Sequence, residues 1–117
     1  GFFIMHRKYV ELYNDTAEKV DEVAERILQL GSTPESRYSA YLQTAELKEV
    51  GVVSCSNEAL DILLTTYKTL IARERRIIEL ASDAKDDTTV SLMSDFLKEQ
   101  EKTVWMLVAV KSQSCAE

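Results

Sequence analysis

The chain of 117 residues contains a single histidine, His6, and the stretch that follows it carries Asp21 and Glu25 beside a run of regularly spaced apolar residues. A mixed set of imidazole nitrogen and carboxylate oxygen ligands, with coordination positions left open, suits Fe(II). Asp21 and Glu25 are four residues apart, so on a helix they share a face and can hold one cation between them. His6 cannot join them within one chain: fifteen residues at about 1.5 Å rise put it roughly 22 Å away along the axis. Metal bonds span only about 2 Å. A second copy laid antiparallel across a two-fold axis near Asn14 brings His6 of one chain to Asp21 and Glu25 of the other, and two identical sites result. Isologous pairing of this kind is the commonest oligomeric symmetry. The geometry permits the site without requiring it, since a histidine on an apolar stripe also serves as a satisfied core residue and an i,i+4 carboxylate pair as a solvated face.

A long helix must carry these residues. Phe3, His6, Val10, Tyr13, Ala17, Val20, Ala24 and Ile27 step by threes and fours and predict a helix over 3–30. Gly31 supplies a left-handed cap, and Pro34 prevents continuation. Tyr38, Tyr41, Leu42, Ala45 and Leu47 allow a short helix over 35–49, and 51–55 reads as a loop. Ser56 and Asn57 are good caps for a second long helix over 58–84, where Leu60, Leu63, Leu64, Tyr67, Leu70, Ile71, Ile78 and Ala81 keep the 3.6-residue period. Asp86 and Asp87 then open a third, running to Val110, with Val90, Met93, Leu97, Val104, Leu107 and Val108 as its apolar face. The tail 111–117 is expected to fray.

Three glycines and one proline are too few for a many-stranded sandwich or barrel, so the chain reads as all-α. There is no internal repeat, low-complexity block or glycine-rich phosphate loop. A single domain over 1–117 is expected. Three long helices and one short one close poorly as a monomer, because the common bundle uses four comparable helices. Either the short segment substitutes for a fourth helix or a further long helix belongs before Gly1; a start without Met favours the second, so an N-terminally incomplete domain is expected. A net charge of −6 disfavours tight nonspecific DNA binding, which needs clustered Lys and Arg, and favours cations. No apolar run is long enough for a bilayer, and the first residues lack the order of a secretory signal, so a cytoplasmic protein without membrane partners is expected. Two cysteines, Cys55 and Cys115, form no metal-finger spacing and suit a reducing compartment.

His6-Arg7-Lys8-Tyr9, Asp21 through Arg26, Leu30-Gly31-Ser32-Thr33-Pro34 and the late Glu101 through Leu107 resemble the Dps family of ferritin-like DNA-protection proteins of starved bacteria. The similarity covers essentially the whole chain and is greatest to the variants of anaerobic Bacteroidales. It implies a four-helix bundle with a short helix between its second and third long helices, assembled as a hollow homo-oligomeric shell of twelve subunits. It also implies a ferroxidase site at the two-fold interface, where Fe(II) is oxidised, preferably by hydrogen peroxide, and stored as Fe(III) mineral, which protects against oxidative stress. Carried over by position, His6 matches the family's second histidine, and Asp21 and Glu25 match its Asp and Glu from the partner chain.

Two departures stand against that pattern. The family's first histidine, usually followed by Trp, falls twelve residues before His6, outside this sequence. The family also has an acidic residue four positions after the second histidine, where this chain has Val10; Glu11 lies about 100° away around the helix. Weaker binding and slow or lost oxidation are therefore expected, and the alternative is a shell protein, structural or DNA-protecting, without redox activity. Asp86, Asp87 and Asp95 stand where similar proteins line an acidic three-fold pore for cation entry, which a ring of carboxylates would drive electrostatically. Helix capping by Asp86 or Asp87 competes with that role, and Asp95 suits the surface. Trp105 is expected to pack, Cys55 to be a spare thiol rather than a soft ligand, and the Arg73, Arg75, Arg76 run, interleaved with Glu74 and Glu79, to be a solvated or inter-subunit face.

Overall fold

The computed structural model describes residues 2–34 and 56–111, with side chains described from 7 and from 58 onward. The expected helix over 35–49, the loop 51–55 with Cys55, and Cys115 lie outside the described residues. Three helices make up the described residues: α1 (Phe2–Gln29), α2 (Ser56–Asp83) and α3 (Asp87–Lys111). No helix among them is long and apolar enough to cross a membrane. The chain divides into two compact units, residues 1–44 and 45–117.

In the first unit α1 ends as its sequence demands. Gly31 takes φ +88; its N–H donates to the carbonyl of Leu28 at 3.0 Å, and that of Ser32 donates to Ile27 at 3.1 Å. This is a Schellman cap, which satisfies carbonyls that the last turn leaves without helical donors. Glycine bears the left-handed conformation without the Cβ penalty. Along α1, the Asp15 carboxylate accepts from Lys19 Nζ at 2.8 Å, one turn on.

In the second unit α2 and α3 pack as an antiparallel hairpin. Two ion pairs join them in opposite order, Asp61 with Lys111 and Arg75 with Glu101 at 3.5 Å. The turn between them is short because Asp86 works in both directions. Its N–H donates to Ala81 at 2.8 Å while that of Lys85 donates to Ser82 at 3.0 Å, completing a second Schellman cap. Lys85 holds the left-handed position with φ 59, where the first unit has glycine. The Asp86 side chain then accepts the Thr89 backbone N–H at 3.1 Å, and its second oxygen accepts the Thr89 hydroxyl. Asp86 is thus the N-cap of α3, and Asp87 in the first turn faces the positive end of the helix dipole.

Leu60, Tyr67, Ala81, Met93, Phe96 and Leu107 form the buried apolar set of this unit, with Leu60 and Leu107 fully enclosed. The α2 stripe read from the sequence is this inner face. The α3 stripe needs correction: Phe96 and Gln100 belong to it, whereas Val108 is 55% exposed. Trp105, expected to pack, is 69% exposed, because it precedes Leu107 by two residues and so lies about 200° around the helix from it. Glu74 is buried and does not lie on a solvated basic face. Arg75 and Arg76 are exposed and lie within ion-pair distance of Glu101 and Glu79.

Candidate metal centre

The residues with metal-binding chemistry lie on α1. Its backbone places His6 in the helix, two turns before Tyr13, and the His6 side chain is outside the described residues. Asp21 and Glu25 follow on the face that the 100° step per residue assigns to Val10, Asn14 and Ala17. That face is open. Val10, Tyr13, Asn14, Ala17, Val20, Asp21 and Glu25 are all exposed, with Val10 at 45%, Tyr13 at 76% and Val20 at 57%. On the other side of the helix Leu12 and Lys19 are buried. The periodic stripe that identifies α1 as a helix is therefore not its buried face. It is an apolar strip with two carboxylates at one end.

Among the described residues neither carboxylate engages in a hydrogen bond or ion pair. Both are free to accept a cation, and being one turn apart they do so from the same side. Among the same residues no three His, Cys, Asp or Glu side chains come together as a metal site. Two oxygen-bearing groups on one helix supply an incomplete coordination sphere, and further ligands must come from beyond that turn. Val10 presents only methyl groups to this face.

Tyr9 lies beside the strip with its hydroxyl buried and without a hydrogen-bond partner. Burial raises the pKa of this phenol above the ordinary value of 10.0, because the charged form would lose its hydration. The periodicity that reveals helices does not mark Tyr9, and only the folded chain shows its hydroxyl shielded. Of the acidic residues considered for cation entry, Asp86 has both carboxylate oxygens engaged by Thr89. Asp87 and Asp95 are exposed.

Comparison with known proteins places the chain in a family. The family described as "Ferritin-like domain" matches residues 1–113. The DNA protection during starvation protein of Porphyromonas gingivalis is 50% identical over 108 residues, covering 92% of this chain and 68% of the relative. Among solved structures, the Dps protein of Vibrio cholerae O1, described as a member of a broad superfamily of ferritin-like diiron-carboxylate proteins, superposes with a TM-score of 0.90 at 42% identity. The alignment covers 92% of this chain and 68% of that one. Dps from Listeria innocua gives a TM-score of 0.91 at 30% identity, covering 99% and 79%. The helical pattern, the all-α architecture and these similarities lead to one conclusion: the chain belongs to the Dps family of ferritin-like proteins.

Proposed function

We propose that this chain binds and stores iron, oxidising Fe(II) at a site shared between two copies, with His6 from one and Asp21 and Glu25 from the other. The observation that carries this reading is the open face of α1, where two unengaged carboxylates adjoin an exposed apolar strip. An apolar strip of this kind calls for a cover, and an antiparallel second copy both covers it and supplies the histidine. The relatives named for DNA protection during starvation support a protective role. In this reading 1–117 acts as one ferritin-like domain in the cytoplasm, within a homo-oligomeric shell of twelve subunits, the number that the family resemblance implies.

The residues divide the work by chemistry. Asp21 and Glu25 neutralise the cation and, as hard oxygen donors, favour Fe(III) as it forms; His6 orients the ion from the opposite helix. Hydrogen peroxide is the preferred oxidant: two Fe(II), one peroxide and two protons give two Fe(III) and two waters. Asp87, exposed at the start of α3, is the better candidate for cation entry, since Asp86 is committed to capping. If Asp87→Asn leaves iron uptake into an assembled shell unchanged, that entry role is wrong.

The test is native mass spectrometry under anaerobic conditions with and without Fe(II). An even-numbered oligomer holding iron, with occupancy lowered at least tenfold in affinity by Glu25→Gln, is the expected result. An iron-free oligomer, or equal affinity in Glu25→Gln, overturns the site. The second reading, a shell without redox activity that is structural or DNA-protecting, is favoured by Val10, which cannot ligate iron where the family has an acidic residue. Peroxide consumption by the iron-loaded protein separates the two: consumption supports oxidation, and its absence with iron bound supports the passive shell.

A further inference from the structure

The inner seam of the α2–α3 hairpin repeats every seven residues. Tyr67, Glu74 and Ala81 mark it on α2, and Met93, Gln100 and Leu107 on α3, all of them buried. Seven residues are close to two full turns, so each set keeps to one side of its helix. Arg75 and Glu101 meet across the hairpin at 3.5 Å, which sets their neighbours Glu74 and Gln100 at the same level of the seam. Tyr67 and Leu107 lie to one side of that level, Ala81 and Met93 to the other. A single polar layer is thus enclosed between apolar ones, with Glu74 8% and Gln100 4% exposed. The flank of α3 shows the reverse. Val108 and Trp105 lie about 80° and 140° around the helix from Gln100, and both are exposed. By apolar area alone, α3 would roll about its axis to bring Val108 and Trp105 inward and Gln100 out to water. The turn at Asp86 sets the level of α3 along α2; what the seam encloses sets its rotation.

Gln100 Oε1 is buried and accepts no hydrogen bond, which costs free energy among apolar neighbours. A half-turn of the terminal amide exchanges oxygen for nitrogen with almost no change of shape. Nε2 then stands in the enclosed position as a donor, at the level of the Glu74 carboxylate. Glu74 is engaged in a further interaction, and a carboxylate with about four lone-pair sites accommodates both. We infer that Glu74 and Gln100 form a polar key that fixes which face of α3 is enclosed, the Gln100 amide donating to the Glu74 carboxylate. Apolar side chains fill space at several rotations, whereas a hydrogen bond holds at one. Its charged acceptor makes the bond roughly twice as strong as a neutral one. A roll of α3 toward Val108 would carry the amide out of reach and break the bond. The layer therefore favours one arrangement at the expense of apolar contact, as a lone polar residue in a coiled-coil seam does.

Trp105 is the chain's single tryptophan, so its fluorescence reads the rotation of α3. Emission maximum and iodide quenching are compared among the native chain, Glu74→Gln, Glu74→Leu and Glu74→Leu/Gln100→Leu, at matched oligomer size. Glu74→Leu removes the acceptor. The expected result is a shift of Trp105 emission to shorter wavelength and a loss of quenching, as Gln100 leaves the seam and the indole turns inward. Glu74→Gln keeps an acceptor and the native emission. Gln100→Leu added to Glu74→Leu gives the seam an apolar residue at that level and restores the native emission. A folded Glu74→Leu with native emission, or a double variant that keeps the shift, overturns the inference. Hydrogen exchange of the Gln100 side-chain amide, followed by NMR in the native chain, needs no variant. Exchange about tenfold slower than at the exposed Gln29 amide is expected, and equal exchange overturns the key even where Glu74→Leu fails to fold.

Discussion

Helices α1 and α2 are both 28 residues long and both carry an apolar stripe that recurs by threes and fours, interrupted at His6 in α1 and at Glu74 in α2, yet the two stripes meet opposite fates. In α2 the stripe is the buried face, with Leu60 at 0%, Tyr67 at 5% and Ala81 at 7% exposure. In α1 Val10, Tyr13 and Val20 of the stripe stand open. Hydrophobic periodicity states that a face is to be withdrawn from water; it does not state what covers it. The α2 stripe is closed within the chain, whereas Val10, Tyr13 and Val20 of the α1 stripe stay open beside the candidate ligands.

The difference is sharpest under truncation. Leu60→Ala should destabilise the chain by about 2–5 kcal/mol, through lost transfer energy and a cavity that the hairpin cannot fill, read as a lower urea midpoint. The same logic predicts that Val20→Lys changes the unfolding free energy by no more than about 0.5 kcal/mol, as exposed substitutions do, while shifting the oligomer toward single chains in sedimentation. A large stability loss for Val20→Lys, with association intact, would break the distinction between the two stripes.

The helix ends give smaller effects with the same contrast. Asp86→Ala removes the oxygens that hold the start of α3 and should cost about 1 kcal/mol. The two Schellman caps have the same hydrogen bonds but different residues at the left-handed position, Gly31 and Lys85. Gly31→Ala should destabilise and Lys85→Gly should stabilise, each by about 1 kcal/mol, because the left-handed conformation penalises a Cβ. Paired thermal melts of these variants check the sign. A smaller change is expected from Tyr9→Phe, which deletes a buried hydroxyl without a partner and should leave stability equal or raised by less than about 1 kcal/mol. A phenol with raised pKa contributes stability that is present below its ordinary value of 10.0 and is lost as pH rises through the folded value. The native chain should therefore lose stability above about pH 10, and Tyr9→Phe should reduce that loss.

Much of the fold is legible in the residues themselves. Gly31 with Pro34 marks where α1 stops, Asp86 and Asp87 mark where α3 starts, and the spacing from Leu60 to Ala81 marks the inner face of α2. Local backbone chemistry decides these features within one or two turns, so no distant contact is needed to read them. The α3 face was harder. Val108 and Trp105 are apolar and exposed, while Gln100 is polar and 4% exposed, so a rule that sorts residues by polarity assigns them to the wrong sides. Asp86 was legible as acidic and near a helix start, but only the Thr89 bonds distinguish a cap from a pore carboxylate.

By itself the sequence determined the three long helices, their stops, and the incompatibility of His6 with Asp21 and Glu25 in one chain, because rise per residue and turn chemistry are local properties. Tertiary structure alone decided which of two similar stripes is enclosed, that Glu74 and Gln100 lie inside, and that Asp21 and Glu25 are open and unengaged. Burial depends on what packs across from a residue, and that is a property of the fold, absent from any single stretch of chain.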